Sequence, residues 1–176
     1  SGTNINVLTG TSTGGFNTVV SYTVGTSPGA VTIGHVDADA NLDLIVSNSG
    51  SNNVSILLGN GNGTFGAATN IAAGTTPAAA TLALLNNDAI PDLVVVNNST
   101  NSISVLLGTG LSGAGAFGAP TGYSVGTAPR SVTVADLDND SDLDLIVANR
   151  GGQSVSLLTG NGDGTFGAAT NIAVGI

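Results

Sequence analysis

The chain repeats itself, and this constrains its fold more than any other feature. A periodic chain folds as stacked copies of one small unit, each burying its faces only against its neighbours. Three segments align: residues 25–73 opening GTSPGAV, residues 74–125 opening GTTPAAA, and residues 126–176 opening GTAPRSV. Their first residues are Gly25, Gly74 and Gly126, and Gly175 stands where a further unit would open. The period is about 50 residues. Residues 1–24 match only the second half of a unit: INVLTG answers VSILLG, and Phe16 answers the Phe of TFGA.

Each unit reads as four short strands. A Gly-Thr-x-Pro turn comes first, with Pro28, Pro77 and Pro129. Proline lacks a donor and holds φ fixed, so it suits the entrance of a strand and not its middle. Strand one is AVTIG, AATLA or SVTVA, followed by a loop rich in Asp and Asn. Strand two, DLIVSN, DLVVVN or DLIVAN, is almost continuously apolar, as expected when both faces are buried. A turn of Asn, Ser and Gly leads to strand three, and a Gly-rich turn carrying a phenylalanine leads to strand four near ATNIA. Four strands per period of this length predict an all-β chain of β-propeller blades, four antiparallel strands each, about three and a half blades in all. A β-solenoid is the competing architecture, but its rungs are usually shorter.

Composition agrees. Hydrophobic residues make up 41% of the chain and aromatics only 3%, which favours many thin layers over one large core. All the acidic residues are Asp, there is no Lys, and the only cations are Arg130 and Arg150. Missing Glu, Lys and Met speak against helices, while Thr, Val, Ser, Asn and Gly favour strands and turns. A net charge of −9 argues against nucleic-acid partners, which need a basic footprint, and against docking to anionic lipid. No apolar run is long enough to insert into a membrane. With no Cys, neither a disulfide nor a thiolate site is available.

The third unit concentrates charge. Asp136, Asp138, Asp140, Asp142 and Asp144 occupy alternate positions of one short loop. Carboxylates this close repel unless a cation intervenes. Calcium takes six to eight oxygens from a flexible loop, whereas magnesium is stricter and keeps its waters, so Ca2+ is the expected ion. The loop is not an EF-hand, because Ser141 and Val147 stand where that loop needs Gly and Glu. The competing reading is a solvated acidic turn.

The strings GNGDGTFGA, AFGAP and DLDNDSDLDLIVAN resemble the FG-GAP or VCBS-type repeat, which builds integrin-α-like propeller blades. That resemblance implies a calcium loop between the first two strands of each blade, in an adhesive or ligand-binding extracellular protein. It implies side-chain ligands at loop positions 1, 3, 5 and 9 and a backbone carbonyl at position 7. In the third unit these are Asp136, Asp138, Asp140 and Asp144, with the carbonyl of Asp142. In the first unit they are His35, Asp37, Asp39 and Asp43, with Asn41. A neutral imidazole is a poor ligand for calcium, so this loop is expected to bind more weakly. In the second unit position 1 is Leu84, leaving Asn86, Asp88 and Asp92 with the Ile90 carbonyl, and occupancy there stays open.

The remaining residues have plain readings. Phe65, Phe117 and Phe166 recur as packing plugs between blades. Tyr22 and Tyr123 give little support to a sugar site. Arg130 and Arg150 are expected in a local salt bridge. His35 is the single histidine and sits in a metal loop, so no catalytic triad is expected and the chain is read as no enzyme. Sequons at Asn53, Asn62, Asn97, Asn98 and Asn139 are of the kind that arise by chance in such a composition. The expected function is an extracellular or cell-surface structural or adhesive module with calcium-pinned blades, self-assembling into a ring or filament or completed by further blades. The alternative is a propeller fragment that binds a glycan or protein ligand.

Overall fold

The computed structural model describes residues 2–37, 39–110 and 117–175. Among these residues the chain is all β, with fourteen strands and no helix. β1 (Asn4–Val7) and β2 (Val20–Thr23) form a two-stranded half-sheet. The first full sheet holds β3 (Pro28–Gly34), β4 (Asp43–Asn48), β5 (Asn53–Leu57) and β6 (Thr69–Ala72). The second holds β7 (Pro77–Ala83), β8 (Asp92–Asn97), β9 (Ser102–Leu106) and β10 (Thr121–Ser124). The third holds β11 (Pro129–Ala135), β12 (Asp144–Asn149), β13 (Ser154–Leu158) and β14 (Thr170–Ala173). Strands pair antiparallel in sequence order within each sheet. The expected plan of four antiparallel strands per unit is therefore observed. Most of the Gly-rich turn of the second unit, 111–116, lies outside the described residues.

Pro28, Pro77 and Pro129 are each the first residue of their strand. Register slips by one residue just after it, between Pro28 and Ala30, Pro77 and Ala79, and Pro129 and Ser131. The missing N–H thus falls at a bulge, where the ladder is interrupted in any case. The residue before each proline lies in the left-handed region: Ser27 at φ 55°, Thr76 at 54° and Ala128 at 51°. Their carbonyls accept from Ser49, Asn98 and Arg150 N–H, which ties each turn to the far end of strand two.

The second strands explain the packing. A strand turns successive side chains to opposite faces, so one buried between two neighbours serves both. In β4, Leu44 and Val46 pack toward the half-sheet, with Val24, Leu57 and Tyr22. Ile45 points the other way and joins Val54, Ile56, Leu93 and Val95 between the first and second sheets. β8 repeats the pattern: Leu93 and Val95 look back, while Val94 and Val96 look forward to Leu145 and Val147. β4 and β8 are buried along their whole length, as their sequences predict. In β12 the forward-looking Ile146 and Ala148 are not fully buried, because no sheet lies beyond them.

The first strands lie side by side, and Thr32 Oγ1 donates to the Ala80 carbonyl at 2.7 Å across β3 and β7. Phe65 stands edge-on to Tyr22 at 5.7 Å between centroids, and Phe166 to Tyr123 at 5.6 Å. The tyrosine hydroxyls accept from the phenylalanine N–H groups at 3.0 and 3.3 Å. Phe117 packs in the core between the first and second sheets. The phenylalanines are inter-sheet plugs, as expected.

Candidate metal centre and inter-sheet clefts

Every Asp loop ends on an aspartate that opens strand two and is almost wholly buried: Asp43, Asp92 and Asp144. In each, Oδ2 accepts from the backbone N–H of loop position 2, namely Val36 at 2.7 Å, Leu85 at 2.8 Å and Leu137 at 2.8 Å. Oδ1 accepts at 2.8 Å from a glycine beyond strand three: Gly59, Gly108 or Gly160. These carboxylates therefore bind loop, strand two and strand three together before any ion is considered. Charged acceptors on buried N–H groups are the stronger class of hydrogen bond. From the sequence alone they are legible only as candidate ligands. Asp stands at this position in all three units, as it does at position 5 with Asp39, Asp88 and Asp140, so repetition alone does not mark it as the clamp.

Above this clamp the loops differ. In the third, Asp136, Asp138 and Asp144 each bring a carboxylate oxygen within 4.8 Å of the others. Asp136 accepts from Asn139 N–H at 2.8 Å and Ser141 N–H at 3.1 Å, which wraps the loop around it. Asn139 and Ser141 take φ of 66° and 78°, so the wrap is made in left-handed backbone. Asp140 accepts from Asp142 N–H at 2.9 Å and lies outside the cluster of three. Partial desolvation, with Asp140 beside it, holds the Asp138 carboxyl above the usual carboxylate range.

In the first loop the converging carboxylates are Asp37, Asp39 and Asp43, again within 4.8 Å. His35 Nδ1 lies 2.8 Å from the Asn41 carbonyl. A ring N–H there engages the carbonyl that the family pattern assigns to the ion, a physical reason for weaker binding. Asp39 accepts from both the backbone and the side chain of Asn41, each at 2.7 Å. The backbone bond is the main cause that keeps its carboxyl below the usual range.

The second loop keeps the plan with fewer charges. Asn86 Nδ2 donates to Asp88 at 3.0 Å, and Asp88 accepts from Ile90 N–H at 2.8 Å. An amide here replaces a carboxylate and satisfies Asp88 without a cation. Burial pushes the Asp92 carboxyl up, against the opposing pull of the Gly108 and Leu85 N–H groups. Leu84, at position 1, is half exposed and offers nothing to an ion. The loop leans on the next sheet, with Asn87 Nδ2 donating to the Gly162 carbonyl at 3.1 Å.

At position 7 the side chain points elsewhere. Asn41, Ile90 and Asp142 lie over Gly61, Gly110 and Gly162, where an added Cβ would collide with them. All three glycines take positive φ in the Gly-rich turn. The side chain at position 7 is thus free to vary, which explains why Asn, Ile and Asp all occur there. The donor set suits a hard cation: Asp136, Asp138 and Asp144 in the third loop, Asp37, Asp39 and Asp43 in the first, all oxygens on short side chains.

Two equivalent clefts lie between the outer strands of neighbouring sheets. One, of about 490 Å³, is lined by Tyr22, Phe65, Gly66 and Asn70 among others. The other, of about 310 Å³, is lined by Tyr123, Gly167 and Asn171. Asn70 and Asn171 each accept from a serine, Ser55 or Ser156, at 2.5 Å, which leaves their Nδ2 groups to donate. In the sequence Tyr22 and Tyr123 give little sign of such clefts, and Asn70 and Asn171 give none. Arg130 and Arg150 line a cavity of about 240 Å³ at the end of the third sheet remote from its Asp loop. Among the described residues neither forms an ion pair, so the expected salt bridge is absent. The strand length between them and the aspartates is the reason. Of the sequons, Asn97 is buried and closed to modification.

Comparison with known proteins agrees with this architecture. Residues 85–147, from the second Asp loop into β12, match the FG-GAP-like repeat. The matched segment includes the third Asp loop and all of the second but Leu84. No curated protein matches the sequence. Among solved structures, an Agrocybe aegerita lectin that recognises non-reducing terminal N-acetylglucosamine is similar over 93% of this chain, with a TM-score of 0.58 at 21% identity. BBS1N, solved in complex with ARL6DN, is similar over 88%, with a TM-score of 0.50 at 17% identity. This chain spans 45% of the length of either, and likeness at these identities concerns the fold.

Proposed function

We propose that this chain is a non-catalytic propeller module with calcium-pinned blades, working outside the cell as a structural or adhesive element. The observation that carries the reading is the convergence of Asp136, Asp138 and Asp144 within 4.8 Å on a loop wrapped in left-handed backbone. Such a cluster is self-repelling without a cation, and calcium relieves the repulsion while leaving the Asp144 clamp in place. Loops of this type with few fixed ligands suit the high calcium of extracellular fluid. The test is a thermal melt with calcium, with magnesium and with chelator. Calcium at ten times its Kd adds about 1.4 kcal/mol per site. A melt indifferent to calcium removes the reading. Detection of the protein on intact, unpermeabilised cells tests its location, and a wholly intracellular signal sinks that part.

A second reading is favoured by the paired clefts. Their walls mix polar and apolar surface, and with a tyrosine and an amide that donates they suit a sugar that presents an acetamido or hydroxyl group. The similar lectin recognises a terminal N-acetylglucosamine, which makes that sugar the first probe. Titration with N-acetylglucosamine should show binding that Asn70→Ala and Asn171→Ala each weaken. No binding by titration or on a glycan array sets this reading aside. The BBS1N complex directs the corresponding search for a protein ligand.

A further inference from the structure

Neighbouring sheets meet at their outer strands in one way, but the residues that fill the contact alternate along the chain. The fourth strand of the earlier sheet offers Tyr22, Ile71 or Tyr123, beside the turn phenylalanine of the later one, Phe65, Phe117 or Phe166. The fourth strand of the later sheet places Asn70, Gly122 or Asn171 opposite Ser55, Ser104 or Ser156 of strand three. The first and third contacts thus hold a tyrosine and an asparagine, which line the two clefts. The middle contact holds Ile71 and Gly122 instead, and Ser104 has no amide opposite it.

In the first and third contacts the serine fixes which end of the amide donates. Ser55 Oγ accepts from Asn48 Nδ2 at 2.8 Å and from Gly25 N–H at 3.1 Å. Ser156 Oγ accepts from Asn149 Nδ2 at 2.8 Å and from Gly126 N–H at 3.0 Å. With two donors already on its oxygen, each serine directs its own proton to the asparagine Oδ1, at 2.5 Å. Nδ2 is left to donate. The tyrosine hydroxyl accepts from the phenylalanine N–H and keeps its own proton for a further acceptor. No charged residue lines either cleft among the described residues. Two donors beside aromatic and small side chains, in a chain of net charge −9, match a neutral group with acceptors and disfavour an anion. The carbonyl of an acetamido group on a sugar ring is such a group.

We propose that the chain is bivalent for an N-acetylated sugar, with sites at the first and third contacts, and that the Tyr–Asn pair absent from the middle contact defines them. The proposal rests on the second reading above and adds the number of sites, their places and the residues that make them.

The chain has two tyrosines, one in each cleft, and no tryptophan, so NMR of the tyrosine rings reports on the sites one by one. Titration with N-acetylglucosamine should shift both rings to saturation, and glucose, which lacks the acetamido group, should bind at least about tenfold more weakly. Asn70→Ala should weaken the Tyr22 response about tenfold, for one lost hydrogen bond, and leave that of Tyr123 unchanged. Asn171→Ala should do the reverse. Tyr123→Ile with Asn171→Gly copies the middle contact and should leave Tyr22 as the one responding ring. Ile71→Tyr with Gly122→Asn should add a third responding ring. A Cβ at Gly122 meets nothing within 4 Å, so the asparagine has room. If that variant does not fold, the Tyr123→Ile, Asn171→Gly exchange decides in its place, and loss of the Tyr22 response there counts against the proposal. A single responding ring in the wild type, an equal response to glucose, an asparagine variant that lowers both responses or neither, or a folded Ile71→Tyr, Gly122→Asn chain without a third response overturns the proposal and leaves the sugar reading standing. If neither ring responds to N-acetylglucosamine and a glycan array shows no binding, both fall together.

Discussion

The second and third Asp loops are built on one backbone and offer a cation different things. Both end in a buried aspartate that accepts from a loop N–H and from a glycine N–H beyond strand three. Above that clamp the third loop gathers three carboxylates, while the second pairs Asn86 with Asp88 and presents Leu84 at position 1. The clamp is thus a requirement of the fold and the cluster an addition to it. One loop has kept its shape where charge was lost, and the other holds charge that its shape alone does not demand.

The comparison breaks most severely at the clamp. Asp144→Ala and Asp92→Ala should each cost about 2–4 kcal/mol, since two buried or part-buried N–H groups lose a charged acceptor. Denaturant unfolding without calcium should give similar losses in the two loops. A large difference between them would mean that the aspartates do unlike work. The next effect belongs to the ion. Asp136→Asn should abolish the calcium stabilisation of the third loop, about 1.4 kcal/mol at ten times Kd, read as the loss of the difference between the calcium and chelator melts. Leu84→Asp should move the second loop toward the third and raise the calcium bound per chain by one, read by calorimetry with Asp136→Asn as control. In the first loop, His35→Asp should tighten calcium binding by freeing the Asn41 carbonyl; unchanged affinity would show that the histidine is no obstacle.

The smallest effect sharpens a related pair, the Gly-rich turns. Asn62 accepts from Thr64 N–H at 3.0 Å, and Asp163 accepts from Thr165 N–H at 2.9 Å, with the threonine hydroxyls donating as well. The Thr165 hydroxyl is the main cause that keeps the Asp163 carboxyl below its usual range. Its folded pKa is therefore below its unfolded one. The stabilisation is present above the unfolded pKa and is lost as pH falls through the folded one. Asp163→Asn, which copies the first unit, should be nearly silent at neutral pH and slightly flatten the acid limb of the stability curve.

Much of this was legible because it depends on local pattern. The alternation-free run DLVVVN forecast a strand buried on both faces, and β8 is buried from Asp92 to Asn97. Pro77 forecast a strand entrance and stands at one. The carboxylate spacing of the third loop pointed to the residues that converge, although Asp140 stays outside the cluster. What escaped depends on contacts distant in sequence. That Gly108 donates to Asp92, or that Ile90 lies over Gly110, follows from strand three returning beside the loop. The buried Asn48, Asn97 and Asn149, legible in the sequence only as the last residues of strand two, fill the space beside Gly25, Gly74 and Gly126 and are interior packing. Their Nδ2 groups donate to Ser55, Ser104 and Ser156.

The alternating faces of the second strands carry a consequence for how such a chain changes over generations. Because Leu93 and Val95 serve only the sheet before, and Val94 and Val96 only the sheet after, each unit presents one fixed plug and one fixed socket. A duplicated stretch of about 50 residues can be spliced in at any turn and find matching neighbours on both sides. Length is then a quantity that recombination can adjust without redesigning a core, and substitutions on one side of a unit are tolerated independently of those on the other.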